Sequence, residues 1–199
     1  MKSTLNMALR LSLICAVAAL ALANVAEVTR RPIAESEARA QREAVEAVLP
    51  PFADLAVDTL ETEAGSPVEY FSGVDDTGIT GTAFTSVSGL GYSGEIEIIL
   101  GVNPAGEISG VRILRHAETP GLGANYADPE LLNRFYTGRR FNDNWKVAKD
   151  GGEVDALTGA TITGRAIADA VERGVARYRV DKDRIKAELA PVEAEGTSP

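Results

Sequence analysis

Three threonines crowd the stretch VDALTGATITGRAIADAV, residues 154–171: Thr158, Thr161 and Thr163 surround a Gly159-Ala160 pair just before a helical pattern of apolar residues. A hydroxyl at the start of a helix has two uses. It can cap the helix by accepting a hydrogen bond from a backbone N–H. It can also stay free for chemistry, in a place where unpaired N–H groups and the positive end of the helix dipole favour an anion by about 0.3–1 kcal/mol, and by up to about 2 kcal/mol when partly buried. A phosphate suits the second use. The stretch is no nucleotide-hydrolase phosphate loop, which requires G-x-x-x-x-G-K-[ST], because both the lysine and the spacing are missing. On helix physics alone, capping and chemistry both remain open.

A second stretch, HAETPGLG at 116–123, places the chain's only histidine, His116, beside Glu118 and Thr119 and ahead of Gly121, Leu122 and Gly123. Glycines around Pro120 allow tight turns and a close approach of main chain to a ligand. With Cys15 the only cysteine and His116 the only histidine, one copy of the chain can build neither a disulfide nor a Cys/His zinc site. No G-x-G-x-x-G follows a strand and opens a helix, so no dinucleotide site of that type is visible. The net charge of −9, without a basic block interleaved with aromatics, excludes nucleic acid as a partner.

The elements that must position these residues follow from patterning. At 199 residues and 45% hydrophobic, the chain allows one ordinary domain with flanking segments. Alternation in VEYFSGV and ITGTAFTSVSG predicts two strands joined at 75–78, and EIEIILGV with ISGVRILRH predicts another hairpin around 103–106. At least four antiparallel strands are expected. Asp128 and Pro129 start a short helix with Leu131, Leu132 and Phe135 facing inward. A last helix runs from about Thr161 to Tyr178, burying Ile167, Ala170, Val171, Gly174, Val175 and Tyr178. Residues 181–199 are charged, then low in complexity, and are expected to form a solvated tail.

Residues 1–31 differ from the rest. From Leu5 to Ala26 there are 22 residues, nearly all apolar, and at about 1.5 Å per residue they reach about 33 Å, enough to cross a bilayer core of about 30 Å. Arg10 lies within about two turns of the amino-terminal end and can snorkel to the headgroups. A cleavable signal peptide is the other reading, with Lys2 and Arg10 as its basic region and Ala21-Leu22-Ala23 as a processing site. Either way the bulk of the chain is exported. The residues before Cys15 are not those of a lipidation site, so it reads as a small membrane-buried hydrophobe. Residues 32–51 read as a connecting helix opened by Pro32 and stopped by Pro50-Pro51, leaving 52–180 as the domain.

DALTGAT, Asp155 to Thr161, resembles the D-x-x-[ST]-G-A-T flavinylation motif of the FMN-binding domains in the Rnf and Na⁺-translocating NADH:quinone oxidoreductase complexes, and HAETPGLG resembles their second characteristic segment. The resemblance covers roughly 67–178 and is nearest to the G subunit of Rnf, with the C subunit of the sodium pump as the alternative. It implies an α+β protein: one amino-terminal transmembrane helix, then an exported FMN-binding domain with an antiparallel sheet and flanking helices. It further implies FMN joined through its phosphate to the Thr161 hydroxyl by a flavin transferase that uses FAD. Gly159 and Ala160 would then leave room for cofactor and transferase, while Asp155 and Thr158 cap the turn or are recognised by the transferase. His116, Glu118 and Thr119 would face the isoalloxazine or order its loop, and Gly121, Leu122 and Gly123 would bring backbone against the ring. Tyr126 and Trp145 are read either as ring-stacking groups or as core.

The function so implied is electron transfer rather than substrate turnover, in a single-pass protein of the bacterial inner membrane with its FMN domain on the periplasmic side and other Rnf membrane subunits as partners. A solitary exported flavoprotein and a non-redox domain of the same fold are the competing readings.

Overall fold

The computed structural model describes residues 2–61 and 67–189. The first helix, α1, is Lys2–Val48, with Pro32 inside it. The chain divides into two compact units, 1–42 and 43–199. In the first, helix α1 exposes Leu9, Leu11, Leu13, Ile14, Val17 and Leu20 along its length. Its most apolar stretch has a mean hydropathy of 2.1, so it is long and apolar enough to cross a membrane. The expected break at Pro32 is absent. An internal proline removes one N–H donor and crowds the preceding turn, yet the residues around it, alanine and glutamate among them, are strong enough helix formers to carry α1 through.

The second unit is built on a five-stranded antiparallel meander: β1 (Asp54–Glu61), β2 (Pro67–Asp75), β3 (Gly78–Gly91), β4 (Gly94–Val102) and β5 (Ile108–Arg115), in spatial order β1-β2-β3-β4-β5. Four of these are the strands expected from alternation. β1 is the addition: an edge strand in which only one residue, Leu60, is buried, so its alternation is weak. Strand periodicity sends successive side chains to opposite faces, and β4 carries an apolar residue on both. Ile96, Ile98 and Leu100 belong to one core with Tyr70, Phe84 and residues 166–178, while Ile99 belongs to a second with Ala83 and the end of α1. A sheet covered on both faces needs such near-continuous hydrophobic strands.

On the second face the fit is close. Gly101 pairs with Gly110 across β4 and β5. A Cβ on Gly101 would run into the Val48 carbonyl, and one on Gly110 would lie 2.8 Å from the Val48 Cα. The paired glycines therefore form a slot for the last turn of α1, and Ser109 Oγ donates to the Val48 carbonyl at 2.5 Å.

The short α2 (Pro129–Tyr136) opens with Asp128 Oδ1 accepting from the Glu130 N–H at 3.0 Å, and Leu132 is buried. On the first face of the sheet lies α3, Thr161–Leu189. It starts where expected, and Ile167, Ala170, Val171, Val175 and Tyr178 pack on the sheet. It ends later than expected. Ile185 is buried, and so is Asp181, which accepts the Tyr70 hydroxyl at 2.7 Å. Tyr178, Asp181 and Ile185 share one helical face, which extends the inner stripe by two turns into a stretch whose charged residues suggest a tail. Burial, then the bond to Asp181, pushes the Tyr70 phenol above its ordinary range, so it remains a donor. Residues 190–199, the rest of that expected tail, lie outside the described residues.

Candidate functional site

At one end of the α3–sheet layer, segments distant in sequence meet around a cavity of about 360 Å³. It is lined by Tyr92 at the β3–β4 hairpin tip, by Glu118, Thr119, Leu122 and Gly123 after β5, by Lys149, and by residues 159–163 at the start of α3. A volume in this range is that of a small-molecule or cofactor pocket. Its walls combine apolar and polar groups: Tyr92 and Leu122 are 71% and 49% exposed at its edge.

Glu118 holds these segments together. It is 6% exposed, with Oε2 accepting the Thr163 hydroxyl at 2.6 Å and Oε1 accepting the Ser93 N–H at 3.0 Å. One buried carboxylate thus ties the hairpin tip, its own loop and the first turn of α3. Burying a charge is costly unless it is hydrogen-bonded, and here both oxygens are used. The space around it is made by glycine: a Cβ on Gly123 would collide with Glu118 Oε2 and Thr163 Oγ1, and one on Gly91 would press on Glu118 Oε1 at 2.9 Å. The loop turns at Gly121, whose φ of +79° favours glycine. The Thr119 carbonyl accepts from the Leu122 and Ala124 N–H groups at 3.1 and 3.2 Å. His116 is half-buried and lies just outside the cavity, where its Nδ1 accepts from the Glu118 N–H at 3.1 Å.

The three threonines differ sharply. Thr163 is 2% exposed and its hydroxyl is committed to Glu118. Thr158 is exposed and does not line the cavity. Thr161 is half-buried, lines the cavity, and among the described residues its hydroxyl has no hydrogen-bond partner. The Gly164 N–H reaches the Ala160 carbonyl at 3.0 Å, so the three preceding N–H groups are the orphan donors of a helix start. The expected caps do not form. Asp155 and Thr158 are exposed and make no hydrogen bond among the described residues. The turn is held instead by the Ala160 N–H on the Leu157 carbonyl at 3.1 Å, by the Leu157 N–H on the Tyr126 hydroxyl at 2.8 Å, and by Gly159 at φ +84°.

Lys149 and Tyr92 belong to the cavity, and neither has a local signal in the sequence. Lys149 sits in a 3-10 turn, Ala148–Asp150, that is fastened to α3: Arg165 Nε and Nη2 donate to Asp150 Oδ2 and Oδ1 at 2.6 and 2.7 Å. The guanidinium holds the Asp150 carboxyl below the usual carboxylate range. Seven of the residues expected to surround the cofactor line the cavity, namely Glu118, Thr119, Leu122, Gly123, Gly159, Ala160 and Thr161. Asp155, Thr158, His116 and Gly121 lie outside its lining. Tyr126 and Trp145 are core residues, Trp145 stacked on Tyr136 with ring centroids 6.5 Å apart.

Comparison with known proteins bears on this cavity directly. Residues 91–176 match the FMN-binding domain family, a span that opens at the hairpin tip and takes in both site segments. The chain is 35% identical over 200 residues to the G subunit of the ion-translocating oxidoreductase complex of Cereibacter sphaeroides, covering 94% of this chain and 88% of that one. It belongs to that G-subunit family. The G subunit from Vibrio vulnificus is 43% identical over 112 residues, about half of either chain. The one from Vibrio cholerae is 36% identical over 135 residues, or 65% of this chain and 64% of that one. The family bears out the expected resemblance and the α+β, FMN-binding character of the domain. The cavity fits such a cofactor on its own terms, with orphan N–H donors and Lys149 for a phosphate and Tyr92 and Leu122 for an apolar ring.

Proposed function

We propose that this member of the G-subunit family carries electrons within a membrane-bound ion-translocating oxidoreductase complex of the Rnf type, through FMN attached to Thr161. One observation carries the attachment: Thr161 alone of the three threonines joins a cavity-lining position to a hydroxyl that has no partner among the described residues. In the attachment, Thr161 Oγ bonds to the flavin-side phosphorus of FAD as the pyrophosphate bond breaks. AMP leaves with the electron pair, and the hydroxyl proton passes to a base on the transferase. The cofactor, once bound, supplies the redox chemistry, and the protein supplies anchoring and orientation.

The chain's own contribution is positional. The helix start would offer N–H donors to a phosphodiester, the loop from Thr119 to Gly123 would present main chain to the ring, and Glu118 fixes that loop against α3. The helix of residues 1–42 would anchor the carrier beside its membrane partners, with the domain on the extracytoplasmic side and the other subunits handling ion transport. A covalent bond suits an exported carrier, since lost FMN could not be replaced there from the cytoplasmic pool.

The test is Thr161→Ala, produced with a flavin transferase. The variant is expected to be folded and to lack flavin fluorescence on a denaturing gel, whereas fluorescence persisting in it would move the attachment elsewhere.

A further inference from the structure

We propose that Lys149 is the counter-cation of the phosphodiester at Thr161, an inference that rests on the attachment reading above. The lysine lines the same cavity as Thr161, from a turn that precedes the Asp155–Thr161 motif and belongs to neither motif. Its turn is fixed in place. The Ala148 N–H donates to the Val154 carbonyl and the Asp150 N–H to the Val147 carbonyl, both at 2.8 Å. Gly151 adopts φ +78°, and Gly152 packs so tightly that a Cβ would strike the Lys146 carbonyl.

The turn is also fixed relative to Thr161. Thr161 and Arg165 stand four residues apart, on one face of α3, and helical side chains lean toward the amino terminus. Arg165 therefore reaches back along the face that carries Thr161, and it grips Asp150, the residue next to Lys149, through two hydrogen bonds. That bidentate pair satisfies Asp150 and Arg165 with each other. Lys149 is left without an ion pair among the described residues. The one carboxylate lining the cavity, Glu118, is already bonded to Thr163 and the Ser93 N–H. The cavity thus holds an unpaired cation and orphan helix N–H groups, and lacks a free anion among the described residues, at the point where a phosphodiester would carry one negative charge. Arg165 serves as the strut, and Lys149 as the charge.

The test uses the full-length chain, produced in membranes with a flavin transferase, as wild type and as Lys149→Ala, Lys149→Glu, Lys149→Arg and Lys146→Ala. Phosphorus NMR of the purified flavinylated protein is the deciding measurement. The phosphodiester resonance is expected to move in Lys149→Ala and Lys149→Glu, and to stay near its wild-type position in Lys149→Arg and Lys146→Ala. With limiting transferase, attachment to Lys149→Ala should slow by roughly two- to fivefold, as for loss of an exposed charge contact, and more in Lys149→Glu. An unmoved resonance with slowed attachment would mean that Lys149 serves the transferase and not the phosphate, and an unmoved resonance with normal attachment would make it a solvated surface lysine. Either result overturns the proposal while leaving Thr161 attachment standing. Wild-type protein without flavin would overturn the attachment reading, and this inference with it.

Discussion

Removing the Glu118 carboxylate would strand two donors at once, the Thr163 hydroxyl and the Ser93 N–H. Leaving buried groups unsatisfied costs about 1–3 kcal/mol each, so with two donors stranded Glu118→Ala is expected to lower the stability of the domain by about 2–6 kcal/mol in denaturant unfolding. Gly123→Ala should cost about 1–3 kcal/mol as an overpacking change, because its new Cβ meets Glu118 Oε2 and Thr163 Oγ1. In the Glu118→Ala background that collision is partly relieved, and the double variant is expected to be more stable than the sum of the two losses predicts. Simple additivity would show that the two residues do not share the space. At this scale the sequence was informative where chemistry was local: the free hydroxyl, the glycines and the carboxylate all lie within two short stretches. Lys149 and Tyr92 were not legible, since only the fold brings a 3-10 turn and a hairpin tip to the same cavity. Asp155 and Thr158 had the composition of caps, but backbone bonds and the Tyr126 hydroxyl hold the turn in their place.

Elements built on regular alternation or helical periodicity were readable, and those whose boundaries depend on tertiary contact were not. β2 to β5 carry enough buried apolar residues to be read as strands, β4 on both faces because a core covers each, whereas β1 is an edge strand with little buried on either side. α3 could be traced to Tyr178 by its apolar stripe, but its last turns depend on Asp181 meeting Tyr70, a pairing across 111 residues. The Gly101–Gly110 slot is similarly invisible in one dimension. It yields a prediction: Gly101→Val, which forces a side chain into the Val48 carbonyl, should destabilise the unit by about 1–3 kcal/mol or more. A melting temperature equal to wild type would show that the end of α1 does not pack there in solution. The 3-10 turn at 148–150 offers a second check. Arg165→Ala should raise amide hydrogen exchange across 147–152 while leaving the sheet protected. Because Arg165 lowers the Asp150 carboxyl, the same loosening is expected in wild type only when the pH falls below the usual carboxylate range. Unchanged exchange in the variant would mean that the backbone bonds alone hold the turn.

As a whole molecule, the chain joins a long apolar helix to a domain whose cavity suits a phosphate-anchored cofactor. An electron carrier in a membrane complex needs both parts in one product. Fractionation with amino-terminal sequencing should therefore find it in the membrane with its apolar segment intact, and a soluble product beginning near Asn24 would instead mark a cleaved leader. The attachment point decides more than the anchor does, because every role given to the cavity presumes a flavin phosphate at the start of α3. The most direct test is intact mass with peptide mapping of the wild-type chain, exported alongside an active flavin transferase. One added FMN phosphodiester is expected, located to Thr161 in the peptide spanning the start of α3. Flavin mapped to Thr158 or Thr163, or a chain that carries none while the transferase is active, would contradict it.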